Sequence, residues 1–139
     1  FDEDETLKRW PLSKQGLILE EPEAIFEKAL IEDELIEIET KLLPLTKALF
    51  YQDALVFKNL NSTTATLKSD KSERSLRFDF AGFPYLGIWA AKNADFVCIE
   101  PWCGIADSVT HSQELTEKEG INVLPSGDVF ERAWAMKLT

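Results

Sequence analysis

Short segments in which apolar and polar residues alternate are the feature that most constrains the fold of this chain. TATLK at 64–68 and SLRFDF at 75–80 both follow this two-residue period. Because successive side chains of a strand point to opposite faces, the period predicts β-strands with one buried face. The polar link SDKSER at 69–74 predicts that these two strands form a hairpin with a longer loop.

Four further segments have the composition of strands. They are ALVFK at 54–58, FPYLGIW at 83–89, DFVCI at 95–99 and VFERAWAMKL at 129–138, the last preceded by a turn, PSGD, at 125–128. The segment at 83–89 is apolar almost throughout, which is typical of a strand covered on both faces, and Pro84 predicts that it starts at an edge or a bulge. Short strands spaced about ten residues apart predict an all-β, antiparallel sandwich.

The acidic stretch at 20–41 allows two interpretations. Pro22 stands where a helix could begin, and Phe26, Ala29 and Leu30 would then share one helical face. LIEIE at 35–39 alternates instead, as a strand does. Helix and strand both stay open here, on what we expect to be a solvated surface with a partly buried stripe. Before this stretch, Trp10-Pro11 predicts the end of a strand or a turn.

Composition and charge exclude several classes of function. The 139 residues are 45% hydrophobic and 11% aromatic, as expected of one globular domain. Acidic residues outnumber basic ones 25 to 15, and the resulting net charge of −10 argues against nucleic acid and anionic membranes as partners. The sequence also lacks an apolar run near the roughly 18–20 residues that a membrane-spanning helix needs.

The two cysteines predict neither a disulfide framework nor a zinc site. Cys98 and Cys103 are too few for the first and have no His or Cys cluster for the second. We expect free, partly buried thiols and hence a reducing, cytoplasmic setting. Phosphate-binding glycine loops, a Ser-His-Asp grouping and metal-ligand spacings are also missing from the sequence, so neither a cofactor nor a metal is expected.

The segment CIEPWCGIAD at 98–107 is the most informative for chemistry. An apolar strand leads to Glu100, which is followed at once by Pro101 and Trp102. Burial disfavours the charged form of a carboxylate, so a glutamate in this position is either paired or functional. A structural salt bridge and a catalytic role both remain open on the residues alone. Trp102 adds an apolar surface beside the acid, or is simply part of the core.

Several long segments resemble the aldose 1-epimerase (galactose mutarotase-like) family, in its bacterial aldose 1-epimerase-related branch. They are GFPYLGIWAAKNADFVCIEPWCGIADSVTH at 82–111, LTEKEGINVLPSGDVFE at 115–131, LFYQDALVFKNL at 49–60 and, at the start, DEDETLKRWPL. The resemblance covers nearly the whole chain, most loosely at 20–41. It implies that residues 1–139 form the C-terminal half of one large antiparallel β-supersandwich, a placement that fits a chain starting at Phe1 rather than methionine.

The resemblance also implies roles for particular residues. It places the family's base at Glu100 and an aspartate that holds sugar hydroxyls at Asp53, while the acid histidine would lie on the absent N-terminal half. On the residues alone, Trp102 is expected to line the sugar site, and Asp107 either contacts the sugar as well or orients a loop. His111, the only histidine, sits in the polar run SVTHSQE and is expected to be a solvated loop residue. TEKEG at 116–120 is interpreted as a charged turn.

The function that follows is a cofactor-free isomerase that exchanges the α and β anomers of an aldose, with hexose phosphates among the candidates. Two alternatives stay open: a non-catalytic sugar-binding sandwich, and an interaction domain whose acidic stretch 20–41 docks a basic partner. Half a supersandwich leaves sheet edges open, so the N-terminal half or a second copy of the chain is expected to cover them.

Overall fold

The computed structural model describes residues 15–19, 26–31, 34–38, 42–58, 60–108 and 110–139. The predicted turn at Trp10-Pro11, the opening segment DEDETLKRWPL and the possible helix start at Pro22 lie outside these ranges.

The regular secondary structure of the described residues consists almost entirely of strands. These are β1 (Gln15–Leu19), β2 (Phe26–Ile31), β3 (Glu34–Ile38), β4 (Leu42–Leu45), β5 (Leu55–Lys58), β6 (Thr64–Ser69), β7 (Ser72–Asp79), β8 (Tyr85–Trp89), β9 (Cys98–Trp102) and β10 (Ala135–Leu138). Two 3-10 helices of one turn, Lys47–Phe50 and Leu115–Glu117, interrupt them. Among these residues no helix is long and apolar enough to cross a membrane.

The strands pair into two sheets of five. One sheet has the order β10-β7-β6-β1-β4 and the other β3-β2-β5-β8-β9, and every pairing between described strands is antiparallel. The predicted all-β, antiparallel sandwich is therefore confirmed. The strands predicted at 54–58, 64–68 and 83–89 are found as β5, β6 and β8.

One apolar core joins the two sheets. Leu43, Leu45, Ala65 and Phe78 come from the first sheet, and Leu55, Phe57, Leu86 and Ile88 come from the second. Alternation along β5 explains the division between core and outer face. Leu55 and Phe57 are almost fully buried and point to the core. Val56 and Lys58, which alternate with them, are half-buried and point to the outer face. The outer face of the second sheet is thus free to carry a site.

The hairpin between β6 and β7 is tighter than the sequence predicts. Ser69 pairs directly with Ser72, so the loop is only Asp70-Lys71, and the expected longer loop at 69–74 is wrong. The serine hydroxyls make this turn possible because they accept backbone hydrogen bonds locally: the Lys71 N–H donates to Ser69 Oγ at 3.2 Å.

The acidic stretch adopts the strand alternative wherever it is described. Phe26–Ile31 forms β2, which pairs with β3 and β5, so the helical face proposed for Phe26, Ala29 and Leu30 is wrong. Pairing on both edges outweighs the weak helical periodicity of the segment. The alternation noted at 35–39 is confirmed by β3 up to Ile38.

The last strand is shorter than expected. The sequence predicts a strand over 129–138, but only Ala135–Leu138 pairs, against β7. The turn before it is confirmed, because the Asp128 N–H donates to the Pro125 carbonyl at 3.1 Å. All four residues of β10 are exposed, so the strand lies at an uncovered end of its sheet.

A matched pair of leucine substitutions tests the position of the core. Leu86→Ala should lower the free energy of unfolding by about 2–5 kcal/mol, since a fully buried leucine leaves a cavity. Leu115→Ala, at a side chain 65% exposed, should change it by less than about 0.5 kcal/mol. Urea unfolding followed by circular dichroism measures both. Equal losses would contradict this assignment of the core.

Candidate functional site

Glu100 lies in the middle of an edge strand. The sequence predicts a buried strand at 95–99 that ends just before Glu100, whereas β9 begins at Cys98 and continues to Trp102, and its residues are half-buried. The predicted bounds are therefore wrong by three residues at each end. Proline lacks an N–H, and Pro101 is tolerated here because β9 is the last strand described in its sheet.

Register determines which way Glu100 points. Glu100 is directly opposite Gly87 of β8, and Gly87 is opposite Val56 of β5. Directly opposed residues in an antiparallel sheet share a face. The neighbouring pairs place Ile88 and Ile99 on the core face. Glu100 is therefore on the outer face of the second sheet, away from the core.

Cys98 shares the outer face with Glu100. Burial is the main cause that raises the pKa of the Cys98 thiol above its ordinary value of 9.0, and the charge of Glu100 and a side-chain hydrogen bond to it raise the pKa further. At neutral pH the thiol is therefore protonated and donates to the Glu100 carboxylate. Cys98 and Cys103 are both free and partly buried, as expected.

Trp102 covers Gly87. A Cβ built on Gly87 would lie 2.7 Å from Cζ2 of the indole and 2.9 Å from two other atoms of the ring. The indole thus runs diagonally across β8, from β9 towards β5, directly over the residue that faces Glu100. Diagonal contacts of this kind are within reach of aromatic side chains.

An open cleft of about 280 Å³ lies beside this indole. Its walls come from the end of the segment before β5, from β5, from the loop after β9 and from the turn near 119. The lining residues are Asp53, Ala54, Val56, Lys58, Trp102, Ile105, Ala106, Asp107, Ser108 and Glu119. The three residues expected to bind substrate, Asp53, Trp102 and Asp107, all line it. Glu100 does not, and the lining residue nearest to it along the chain is Trp102.

The charged groups of the cleft are largely paired with one another. Lys58 Nζ lies 2.8 and 3.0 Å from the two carboxylate oxygens of Glu119. Lys118 Nζ donates to Asp107 Oδ1 at 2.7 Å, and this hydrogen bond is the main cause that holds the pKa of Asp107 below its usual value. Asp53 Oδ1 accepts the N–H of Ala54 at 2.7 Å, which holds this carboxylate against its own backbone in the cleft wall.

A polar clamp fixes the loop that follows β9. Asn122 Nδ2 donates to the carbonyls of Cys103, at 2.7 Å, and Gly120, at 3.1 Å. Gly120 has a φ of +74°, and a Cβ there would lie 2.8 Å from the Tyr85 hydroxyl, so only glycine fits. The loop and the turn that carry Asp107 and Glu119 are thereby held together.

His111 differs from its expectation. The sequence predicts a solvated loop residue, but its side chain is only 11% exposed. Its Nδ1 accepts the Gln113 N–H at 2.9 Å, while its buried Nε2 has no hydrogen-bond partner within the part of the chain that the structure describes. The ring is thus held against the backbone of its own turn. Its Nδ1 is 3.9 Å from Asp107 Oδ2.

Three members of this site were not singled out from the sequence. In the sequence, Glu119 belongs to a charged turn, Lys58 ends a predicted strand and Gly87 lies inside another. For Gly87 a signal exists, since glycine inside a strand often marks a close approach of another group. Nothing in the sequence pairs Lys58 with Glu119, which are 61 residues apart. In the described ranges, no three His, Cys, Asp or Glu side chains are grouped so as to hold a metal.

Known proteins of similar sequence and structure supply a separate line of evidence. No family model matches the sequence. Over 87 residues, 61% of this chain, the sequence is 39% identical to Protein LacX, chromosomal, and equally to Protein LacX, plasmid, both of Lactococcus lactis subsp. lactis. Those 87 residues are 29% of each relative.

Two solved structures share the fold. A galactose mutarotase related enzyme from Lactobacillus acidophilus matches the whole chain with a TM-score of 0.80 and 26% identity. A galactose mutarotase-like protein from Lactobacillus casei matches 90% of it with a TM-score of 0.68 and 22% identity. The resemblance predicted from the sequence is thus confirmed, as is the galactose mutarotase-like β-sandwich. The chain spans 48% and 45% of these two structures, about half of each.

The contact between Cys98 and Glu100 can be measured by titration. Glu100→Gln should lower the pKa of the Cys98 thiol towards 9.0, because it removes a negative charge that disfavours the thiolate. The pH dependence of iodoacetamide alkylation, in a Cys103→Ser background, reports this pKa. Glu73→Gln, at an exposed carboxylate on the other sheet, is the matched control and should leave it unchanged. If both variants titrate like the parent, the two side chains are not in contact.

Proposed function

We propose that this chain is half of a mutarotase-type isomerase that interconverts the α and β anomers of an aldose. The observation that carries the proposal is a carboxylate, Glu100, on the outer face of β9, two residues from a tryptophan that lines a cleft with Asp53 and Asp107. The structural match of this whole chain to 48% of a galactose mutarotase related enzyme supports it.

The reaction explains which groups are needed. Exchange of anomers opens the sugar ring, rotates the C1–C2 bond and closes the ring again. A base removes the proton of the anomeric hydroxyl while an acid protonates the ring oxygen, and each must be within hydrogen-bond reach. Glu100 is the proposed base, and a histidine from the other half is the proposed acid. The protonated Cys98 thiol would orient the carboxylate.

The proposed binding residues divide the work of holding the sugar. The indole of Trp102 offers an apolar face to the C–H groups of a pyranose, and the carboxylates of Asp53 and Asp107 accept hydrogen bonds from its hydroxyls. Asp107 is already ordered by Lys118, so less freedom is lost on binding.

The charges of the cleft favour a neutral sugar over a hexose phosphate. Three carboxylates line it, on Asp53, Asp107 and Glu119, against one cation, Lys58. That cation is bonded to both oxygens of Glu119, and the adjacent Lys118 is bonded to Asp107. A phosphate group would have to break one of these pairs or lie against the carboxylates.

Polarimetry on freshly dissolved α-galactose tests the proposed base in the full-length protein. Glu100→Gln should reduce the mutarotation rate by about 10²–10⁴-fold, the usual contribution of a general base. Glu73→Gln should retain the parent rate, since that residue lies on the other sheet. A parent rate in Glu100→Gln would exclude Glu100 as the base. In the same assay, a higher kcat/KM for galactose 6-phosphate than for galactose would contradict the preference for a neutral sugar.

A non-catalytic sugar-binding protein is the second candidate. It is favoured by one observation, that Glu100 does not line the cleft. Such a protein would bind galactose but leave the rate of mutarotation at that of buffer. The third possibility, docking of a basic partner on the acidic stretch, concerns residues of which only 26–31 and 34–38 are described, and no contact supports it.

We also propose that another half of a longer protein covers β10. Met136 and Leu138 are directly opposite Phe78 and Leu76 of β7, so they share the core face. They are nevertheless 57% and 73% exposed, and Trp134, stacked on Phe78 with ring centroids 5.4 Å apart, is 56% exposed. At β10, the core face of the first sheet is therefore not covered by the second sheet. The two related structures are about twice as long as this chain, and the additional half is the segment that we propose to lie on this face.

Sedimentation of the 139-residue chain by analytical ultracentrifugation tests this cover. The chain should self-associate, because exposed core-facing side chains bury one another when no second half is present. Met136→Lys should reduce the association, whereas Lys137→Ala, on the opposite face of β10, should not. A compact monomer of the parent chain would contradict the proposal.

We further propose a cytoplasmic location on the strength of the two free thiols, Cys98 and Cys103, which a reducing compartment preserves.

A further inference from the structure

Gly87 is the residue of β8 on which the shape of the cleft depends. It is buried in the middle of β8, between Val56 of β5 and Glu100 of β9 on the same outer face. Strand interiors seldom favour glycine, since it costs backbone entropy and contributes no packing. Its presence at this position calls for a specific reason.

The reason is the ring that takes the place of its side chain. Three atoms of the six-membered ring of Trp102 lie 2.7–2.9 Å from where a Cβ would be, closer than carbon atoms can approach without movement. The indole therefore rests flat against the β8 backbone. The ring is the only group among these atoms that is able to yield, because it is the far end of a side chain while Gly87 is fixed by pairing on both edges.

The same ring separates the proposed base from the cleft. The ring covers Gly87, which is directly opposite Glu100. It also lines the cleft, together with Val56 and Lys58. An indole that lies flat on β8 rises little above the outer face between Glu100 and the cleft, whereas an indole lifted from β8 would stand between them.

We propose that Gly87 is a positioning residue that keeps Trp102 flat as a stacking platform for a pyranose between Glu100 and the cleft. The inference rests on the proposed function, because it takes a sugar as the ligand. Gly87 itself touches no substrate and acts only through the indole. A side chain at position 87 would lift the ring, and the raised ring would obstruct the binding of a sugar in the cleft.

A non-reacting sugar separates this proposal from the proposed activity. Methyl α-galactopyranoside cannot mutarotate, so its Kd, measured by isothermal titration calorimetry on the full-length protein, reports the platform whether or not the protein is an isomerase. Gly87→Ala should raise this Kd about tenfold, and Trp102→Leu should raise it by a similar factor, the scale of one lost aromatic contact.

The double variant gives the decisive comparison. Gly87→Ala/Trp102→Leu should bind no more weakly than Trp102→Leu alone, because the added methyl group no longer meets a ring. Independent effects, which would weaken binding about a hundredfold in the double variant, would overturn the proposal. An unchanged Kd in Gly87→Ala, or no binding by the parent protein, would overturn it as well.

Gly82→Ala is the control for general destabilisation. Gly82 has a φ of +85° in a turn with open space around it, so alanine strains the backbone without touching the cleft. It should lower the Tm and leave the Kd unchanged. If Gly82→Ala weakened sugar binding as much as Gly87→Ala, the effect at position 87 would be one of stability, and the platform would be rejected.

Discussion

Burial of one face of the second sheet is the constraint on which the rest of the structure depends. Leu86 and Ile88 of β8 are completely buried against the first sheet, which fixes the orientation of every neighbour in register with them. A slip of β9 by one residue would turn Glu100 towards the core and Ile99 towards the outer face. The hydrophobic core thus determines the direction of the candidate site, although it contributes no group to it.

Two kinds of interaction then shape the outer face. Aromatic packing of Trp102 on Gly87 forms its floor, and charge pairs between β5, the loop after β9 and the turn near 119 form its rim. The pairs are exposed enough that each contributes little to stability. Their effect is on geometry and net charge, since they neutralise the lysines and leave carboxylates available to hydroxyl groups.

The sequence predicts the fold class because alternation is a local property. Asp53 is predicted from the family resemblance, whereas Trp102 and Asp107 are predicted from their positions after Glu100 in CIEPWCGIAD. That they line one cleft is consistent with this, while their roles and that of Glu100 stay predictions. Prediction from the sequence fails where pairing between distant segments decides the secondary structure. β2 is a strand because β3 and β5 pair with its two edges. The ion pair Lys58–Glu119 is not predicted for the same reason. The prediction of a solvated His111 is wrong, because its ring accepts a hydrogen bond from the Gln113 backbone and is only 11% exposed.

Pro101 has a consequence for the edge of the second sheet. Its nitrogen carries no hydrogen, so β9 has one backbone donor fewer, one residue from Glu100. A proline in an edge strand weakens pairing with a strand from a neighbouring molecule. The edge beside the carboxylate is thereby a poorer template for the growth of the sheet.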